Sequence, residues 1–138
     1  MIKSKIIHPE LLSCLAKCGH KSQILIADGN YSCVTNSPAN ANIIYLNFTA
    51  GMLSGTQVME GVCEMLNIES ALMMSCPDDF ENTIIKEYKA MLPEVAPIDY
   101  VERGAFYSAV RSDDTLLVIA TGEQRRFANI LLTVGVVK

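Results

Sequence analysis

The sequence predicts a single α/β layered domain, with a central, mostly parallel or mixed sheet flanked by helices. Three observations carry that prediction. Ile24-Leu25-Ile26 and Leu116-Leu117-Val118-Ile119-Ala120 are apolar at consecutive positions, the pattern of strands covered on both faces. Between such runs lie segments with apolar residues three and four apart, and the alternation of the two patterns is that of helices packed on a sheet. The length, 138 residues, is that of one domain spanning 1–138, able to bury roughly 68–70% of its unfolded surface without metal or disulfide staples.

Pro9-Glu10, followed by Leu11, Leu12, Leu15 and Cys18, begins a helix with proline at its first position, an acid in its first turn and Gly19 as its stop. Gln23 to Ala27 is a buried strand running into the turn Asp28-Gly29-Asn30. Tyr31 to Asn42, rich in Ser, Asn, Thr and Ala, is a surface loop, and Ile43 to Leu46 is a second strand. Val58, Val62, Cys63 and Leu66 lie on one helical stripe from Gln57 to Leu66. Ala71 to Met74 is a strand. Pro77-Asp78-Asp79, with Glu81 three residues after Asp78, predicts a capped helix whose apolar face is Phe80, Ile84, Tyr88 and Met91. Ile98 to Val101 is a strand, Phe106 to Val110 a short helix, Leu116 to Ala120 a core strand and Asn129 to Val134 the last strand.

Composition excludes several functions. Eleven Lys and Arg against fifteen Asp and Glu leave a net charge of −4, and the isoelectric point is near 5.1. With no basic stripe, nucleic acid is not an expected partner. No apolar run approaches the roughly 18 residues that span a bilayer, so no membrane association is expected. Pro9 and Glu10 interrupt the N-terminus before a signal-peptide core forms, which places the protein in the cytoplasm. The five cysteines, Cys14, Cys18, Cys33, Cys63 and Cys76, are odd in number and sit mostly in apolar segments, as reduced core thiols do. A mean hydropathy of +0.26 is high for a small soluble chain and points to a homo-oligomer.

Candidate chemistry is sparse. His8 and His20 are the only histidines. His8, before Pro9, reads as a cap or surface residue; His20 reads equally as a helix-terminal group or as a proton shuttle at neutral pH. Asp28 is by pattern a turn former next to Gly29, yet it also stands at the carboxyl end of a strand, where ligands gather in such sheets. Cys14, Cys18 and His20 match no standard zinc spacing, and neither a phosphate-binding loop nor a nucleophile elbow is present. No metal or cofactor is expected. Arg103-Gly104-Ala105-Phe106-Tyr107 and Thr121-Gly122-Glu123 through Asn129 place polar and aromatic residues beside strand ends.

Three blocks in order, Pro9-Glu10-Leu11-Leu12 through Gly19-His20 to Asp28, then Arg103-x-Ala105-Phe106-Tyr107, then Thr121-Gly122-Glu123 to Asn129-Ile130-Leu131-Leu132 with Gly135-Val136, resemble the RbsD/FucU sugar mutarotase family. The resemblance implies an enzyme that interconverts the anomers of a free monosaccharide without a cofactor. It also implies a decamer of two pentameric rings with sites at subunit interfaces. By the same resemblance His20 is the acid/base residue, Asp28 helps to hold it and the sugar, and Arg103 and Asn129 bind sugar hydroxyls. Arginine at 103 is similar to the L-fucose type; histidine there marks the ribose type. Two departures stand out. Phe127 occupies the place of a family tyrosine, and Asp28-Gly29-Asn30-Tyr31-Ser32 lacks the family's proline. Tyr107 is the candidate replacement for the missing hydroxyl. D-ribose as substrate, or a sugar-binding ring without catalysis, are the alternatives.

Overall fold

The computed structural model describes all 138 residues. Four helices, α1 (Pro9–Lys17), α2 (Gly55–Met65), α3 (Ile84–Met91) and α4 (Arg103–Val110), are interspersed with six strands: β1 (Gln23–Ala27), β2 (Asn42–Tyr45), β3 (Ile68–Met74), β4 (Ile98–Val101), β5 (Thr115–Ala120) and β6 (Ile130–Val134). The strands form one sheet in the order β2-β5-β1-β6-β3-β4. β1 runs parallel to β5, β5 to β2 and β3 to β4, whereas β6 pairs antiparallel with both β1 and β3. Five strands therefore share one direction and β6 alone opposes them, which makes the sheet mixed.

Alternation along the strands splits the core in two. Ile24, Ile26, Leu117, Ile119, Ile130 and Leu132 pack on one face with Leu11 and Leu15 of α1, Val58, Met59 and Val62 of α2, and Ile84 and Tyr88 of α3. Leu25, Ala27, Val118, Ala120 and Leu131 point the other way, onto Phe106 and Val110 of α4 and Cys33 of the loop after β1. The continuous apolar runs of β1, β5 and β6 are thus buried on both sides. Each fully buried Leu or Ile contributes about 1.5–3 kcal/mol.

Helix ends follow local chemistry. His8 is the N-cap of α1, its Nδ1 accepting from the Leu11 N–H at 3.1 Å, with Pro9 at the first helical position. Ser54 and Gln57 form a capping box that starts α2 two residues before the apolar stripe. The expected helix start at Asp78 is corrected: α3 begins at Ile84, and its first free N–H is met by Asn82 Oδ1 at 3.2 Å. Residues 77–83 are instead drawn to the loop that enters β6, because Asn82 Nδ2 donates to the Phe127 carbonyl at 3.0 Å and Phe80 packs against the Phe127 ring. α4 begins at Arg103, three residues earlier than its apolar positions indicate, because Glu102 caps it by accepting from the Ala105 N–H at 2.9 Å.

Candidate functional site

The topology decides which residues meet. The segments that follow β1, β3 and β4 leave the sheet at the carboxyl ends of these parallel strands. Residues 121–129 lie there too, since they leave the carboxyl end of β5 and enter β6, whose first residue Ile130 lies opposite Ile26 near the end of β1. A cavity of about 320 Å³ opens at this edge, lined by Asp28, Asn30, Tyr31, Met74, Arg103, Tyr107, Arg126, Phe127 and Asn129. Five of the six sequence-predicted residues, Asp28, Arg103, Tyr107, Phe127 and Asn129, are therefore gathered in one place from three distant stretches of chain.

Asp28 and Asn129 are the buried polar floor, 5% and 6% exposed. Asn129 Oδ1 accepts from the Asp28 backbone N–H at 2.7 Å, and Asp28 Oδ1 accepts from the Asn30 N–H at 3.0 Å, closing the Asp-Gly turn. Asp28 is thus a turn former and a site residue at once. Burial pushes its carboxyl above the ordinary range, partly offset by N–H groups of Asn30, Ala128 and Tyr31. Aromatic rings make the walls. Tyr31 and Tyr107 meet edge to face at 5.7 Å between centroids, and Phe80 and Phe127 at 5.0 Å. Phe127 holds φ at 57°, the left-handed region that a residue of its size rarely enters; its carbonyl is tied to Asn82 and that of Ala128 to the buried Tyr88 hydroxyl at 2.8 Å.

Behind the cavity, Glu123 braces the loop. Its carboxylate accepts from the Gly55 N–H at the start of α2 at 3.2 Å and from Arg125 Nη2 at 3.0 Å, and its carbonyl accepts from the Gly29 N–H at 2.8 Å. Burial raises this carboxyl, but the Arg125 hydrogen bonds outweigh it and hold the group below the usual glutamate range. Arg125 also pairs with Glu87 of α3.

His20 lies elsewhere. It precedes β1 whereas Asp28 follows it, and five residues at about 3.3 Å each put roughly 16 Å of strand between the two ends. Within one chain Asp28 therefore does not hold His20: the carboxylate beside His20 is Glu69 Oε2, 3.1 Å from Nε2. Glu69 also pairs with Lys21, whose hydrogen bond, with that of His20, draws the Glu69 carboxyl below its ordinary value despite the opposing effect of desolvation. The imidazole is about half exposed. No group of three or more His, Cys, Asp or Glu is arranged to hold a metal; Cys14 and Cys18 are buried in the core, with burial pushing the Cys18 thiol up to about 11.

Sequence reasoning missed Asn30, Tyr31, Met74 and Arg126 among the lining residues. Asn30 and Tyr31 had a signal, since they continue the turn at a strand's carboxyl end. Arg126 had one too, as the residue between the bracing Arg125 and Phe127.

Comparison with known proteins agrees with this architecture. The model of the RbsD / FucU transport protein family matches residues 1–137. The fucose mutarotase of Mus musculus is 31% identical over 144 residues, covering 95% of this chain and 90% of its own. D-ribose pyranase 2 of Streptomyces griseus is 29% identical over 136 residues, covering 99% and 98%. The structure of Bacillus subtilis RbsD complexed with D-ribose superposes with a TM-score of 0.85 at 25% identity over the whole of both chains. The match over nearly every residue, joined to the shared fold, establishes that the chain belongs to the RbsD/FucU family.

Proposed function

We propose that this protein is a cytoplasmic mutarotase that interconverts the α and β anomers of a free monosaccharide, with L-fucose the favoured sugar. The observation that carries the proposal is the convergence of Asp28, Arg103, Tyr107, Phe127 and Asn129 on one cavity of about 320 Å³ at the sheet's carboxyl edge. Relatives named fucose mutarotase and D-ribose pyranase support the reaction class. Arg103 in place of histidine favours the fucose type.

The chemistry needs two proton transfers. A base removes the proton of the anomeric hydroxyl while an acid protonates the ring oxygen, the bond between anomeric carbon and ring oxygen breaks, and the ring closes on the other carbonyl face. Asp28 is the sole carboxyl among the lining residues, and burial raises it above the ordinary carboxylate range, the direction that suits a group that both takes and returns a proton. His20 is the second shuttle. Because it lies at the far end of β1, it reaches a cavity only as a contribution from a neighbouring copy, in a ring that we place at ten subunits, two pentamers stacked. Exposed Phe48, Met52 and Val95 are the kind of surface such contacts cover. Asn129 and Arg103 hold hydroxyls, Phe127 gives an apolar ring face, and Tyr107 offers the hydroxyl that Phe127 lacks. The uncatalysed reaction is already quick, so a few kcal/mol from these groups suffices.

Saturation-transfer NMR between the anomeric protons of L-fucose, with D-ribose alongside, tests the reading. Exchange above the buffer rate is expected with L-fucose, lost in His20→Ala with assembly intact and reduced in Tyr107→Phe. Exchange with ribose alone would move the substrate, unchanged turnover in Tyr107→Phe would remove that residue's role, and binding without exchange would leave a sugar-binding ring whose Phe127 cost it catalysis.

A further inference from the structure

Two exposed arginines line the cavity, Arg103 and Arg126, against the one carboxyl of Asp28. That balance is the reverse of the chain as a whole, which carries −4. None of the seven ion pairs in the chain involves either arginine, although adjacent Arg125 is fully engaged with Glu123 and Glu87. Successive residues thus divide the work: Arg125 turns inward to brace the loop and Arg126 faces the cavity.

Arg126 is also held in position. Its guanidinium carbon lies 5.3 Å from the Phe80 ring centroid and 5.4 Å from that of Phe127. Stacking of this kind leaves the edge of the guanidinium, with its N–H groups, free to donate to a planar anion. Beside it Phe127 offers no hydroxyl, so Arg126 adds a charged donor to that wall. A neutral sugar uses one arginine well; a second, exposed cation with no carboxylate partner within the chain fits a ligand that itself carries negative charge.

We infer that the cavity also accepts monosaccharides bearing an anionic group, a hexuronate or an aldose phosphate with a free anomeric hydroxyl, with Arg126 as the specificity-determining residue. This rests on the mutarotase reading of the same site. Asp28 serves the anomeric end of the ring and the arginines the charged end.

The test measures anomer exchange by the assembled protein for L-fucose, D-galacturonate and D-glucose 6-phosphate, each against its buffer rate, at low and high salt. Exchange of at least one acidic sugar is expected, with its KM rising with salt while that of L-fucose holds. Galacturonate alone would identify a carboxylate as the ligand, and glucose 6-phosphate alone a phosphate. Arg126→Met is expected to lower kcat/KM for the acidic sugar by about tenfold to a hundredfold, the range of a lost charge-assisted hydrogen bond, and to affect L-fucose far less. Exchange of L-fucose with none of either acidic sugar would overturn the inference and leave the mutarotase reading standing. Equal loss for neutral and acidic sugars in Arg126→Met would also overturn it, because the residue would then only support the wall. No exchange with any sugar would end both.

Discussion

The carboxyl of Asp28 is raised by burial even though three backbone N–H groups oppose the shift. A raised carboxyl binds its proton more tightly in the folded chain than in the unfolded one, so stability falls as pH rises through the folded value. The penalty is fully present above the folded value and vanishes below the ordinary value of 3.8. Asp28→Asn keeps the acceptor for the Asn30 N–H and removes the charge. Its melting temperature is expected to exceed that of the parent at pH 7, the gap closing as the melts are repeated toward pH 3.5 (approximately the ordinary carboxyl range). Anomer exchange should fall in the same variant by about a hundredfold or more, the range of a lost acid/base group. A variant no more stable at pH 7 would mean that the carboxyl is better solvated than its 5% exposure indicates. Stability surrendered at a functional position is common. From sequence, the turn role of Asp28 was legible through Asp-Gly, and so was its placement at a strand end. Its burial was not, because that depends on residues 103–107 and 126–129 closing around it from about 75 to 100 residues away.

At the scale of elements, the loop after β5 is a keystone. The Gly122 N–H donates to the Leu53 carbonyl at 2.8 Å, and its own carbonyl accepts from the Gly51 N–H at 2.6 Å. A Cβ on Gly122 would stand 2.3 Å from the Met52 carbonyl oxygen and 2.5 Å from that of Thr49. Both are backbone atoms, so they cannot swing aside. Gly122→Ala is expected to cost about 1–3 kcal/mol, the usual range for overpacking, and to weaken sugar exchange by shifting residues 123–129. Urea denaturation read beside turnover checks this, and a neutral result would show that residues 47–53 yield easily. The same scale shows where periodicity succeeds and fails. β1, β5 and β6 announce themselves through apolar runs, and α1 through proline and stripe. The error at α3 arose because Asp78 and Glu81 mimic a capping box, while the contacts that hold 77–83 out of the helix, Asn82 on the Phe127 carbonyl and Phe80 on its ring, are long-range and leave no local trace.

For the whole molecule, the single antiparallel strand is the decisive feature. Were β6 parallel like the others, Asn129 would enter the sheet at the His20 end; reversed, it brings residues 121–129 over the end of β1 and pairs Asn129 with the Asp28 N–H. The α/β class was legible from alternation of patterns, with the sheet left as mostly parallel or mixed, but strand order was not, since β-strand neighbours far apart in sequence carry no mutual signal. The cavity's floor was therefore legible as residues and not as a place.

One consequence of the distance between His20 and Asp28 concerns genetics more than geometry. In the head-to-tail ring proposed above, each site would draw on two neighbours. Two dead proteins then need not make a dead mixture. His20→Ala and Asp28→Asn subunits, unfolded together in equal amounts and reassembled, should regain activity, with roughly a quarter of the junctions pairing an intact histidine with an intact aspartate by chance. Separate refolding followed by mixing of closed rings should restore nothing until subunits exchange. Persistent silence in the co-refolded mixture would place both residues' work within a single chain, and a heterozygous cell carrying both lesions would then be as deficient as either homozygote.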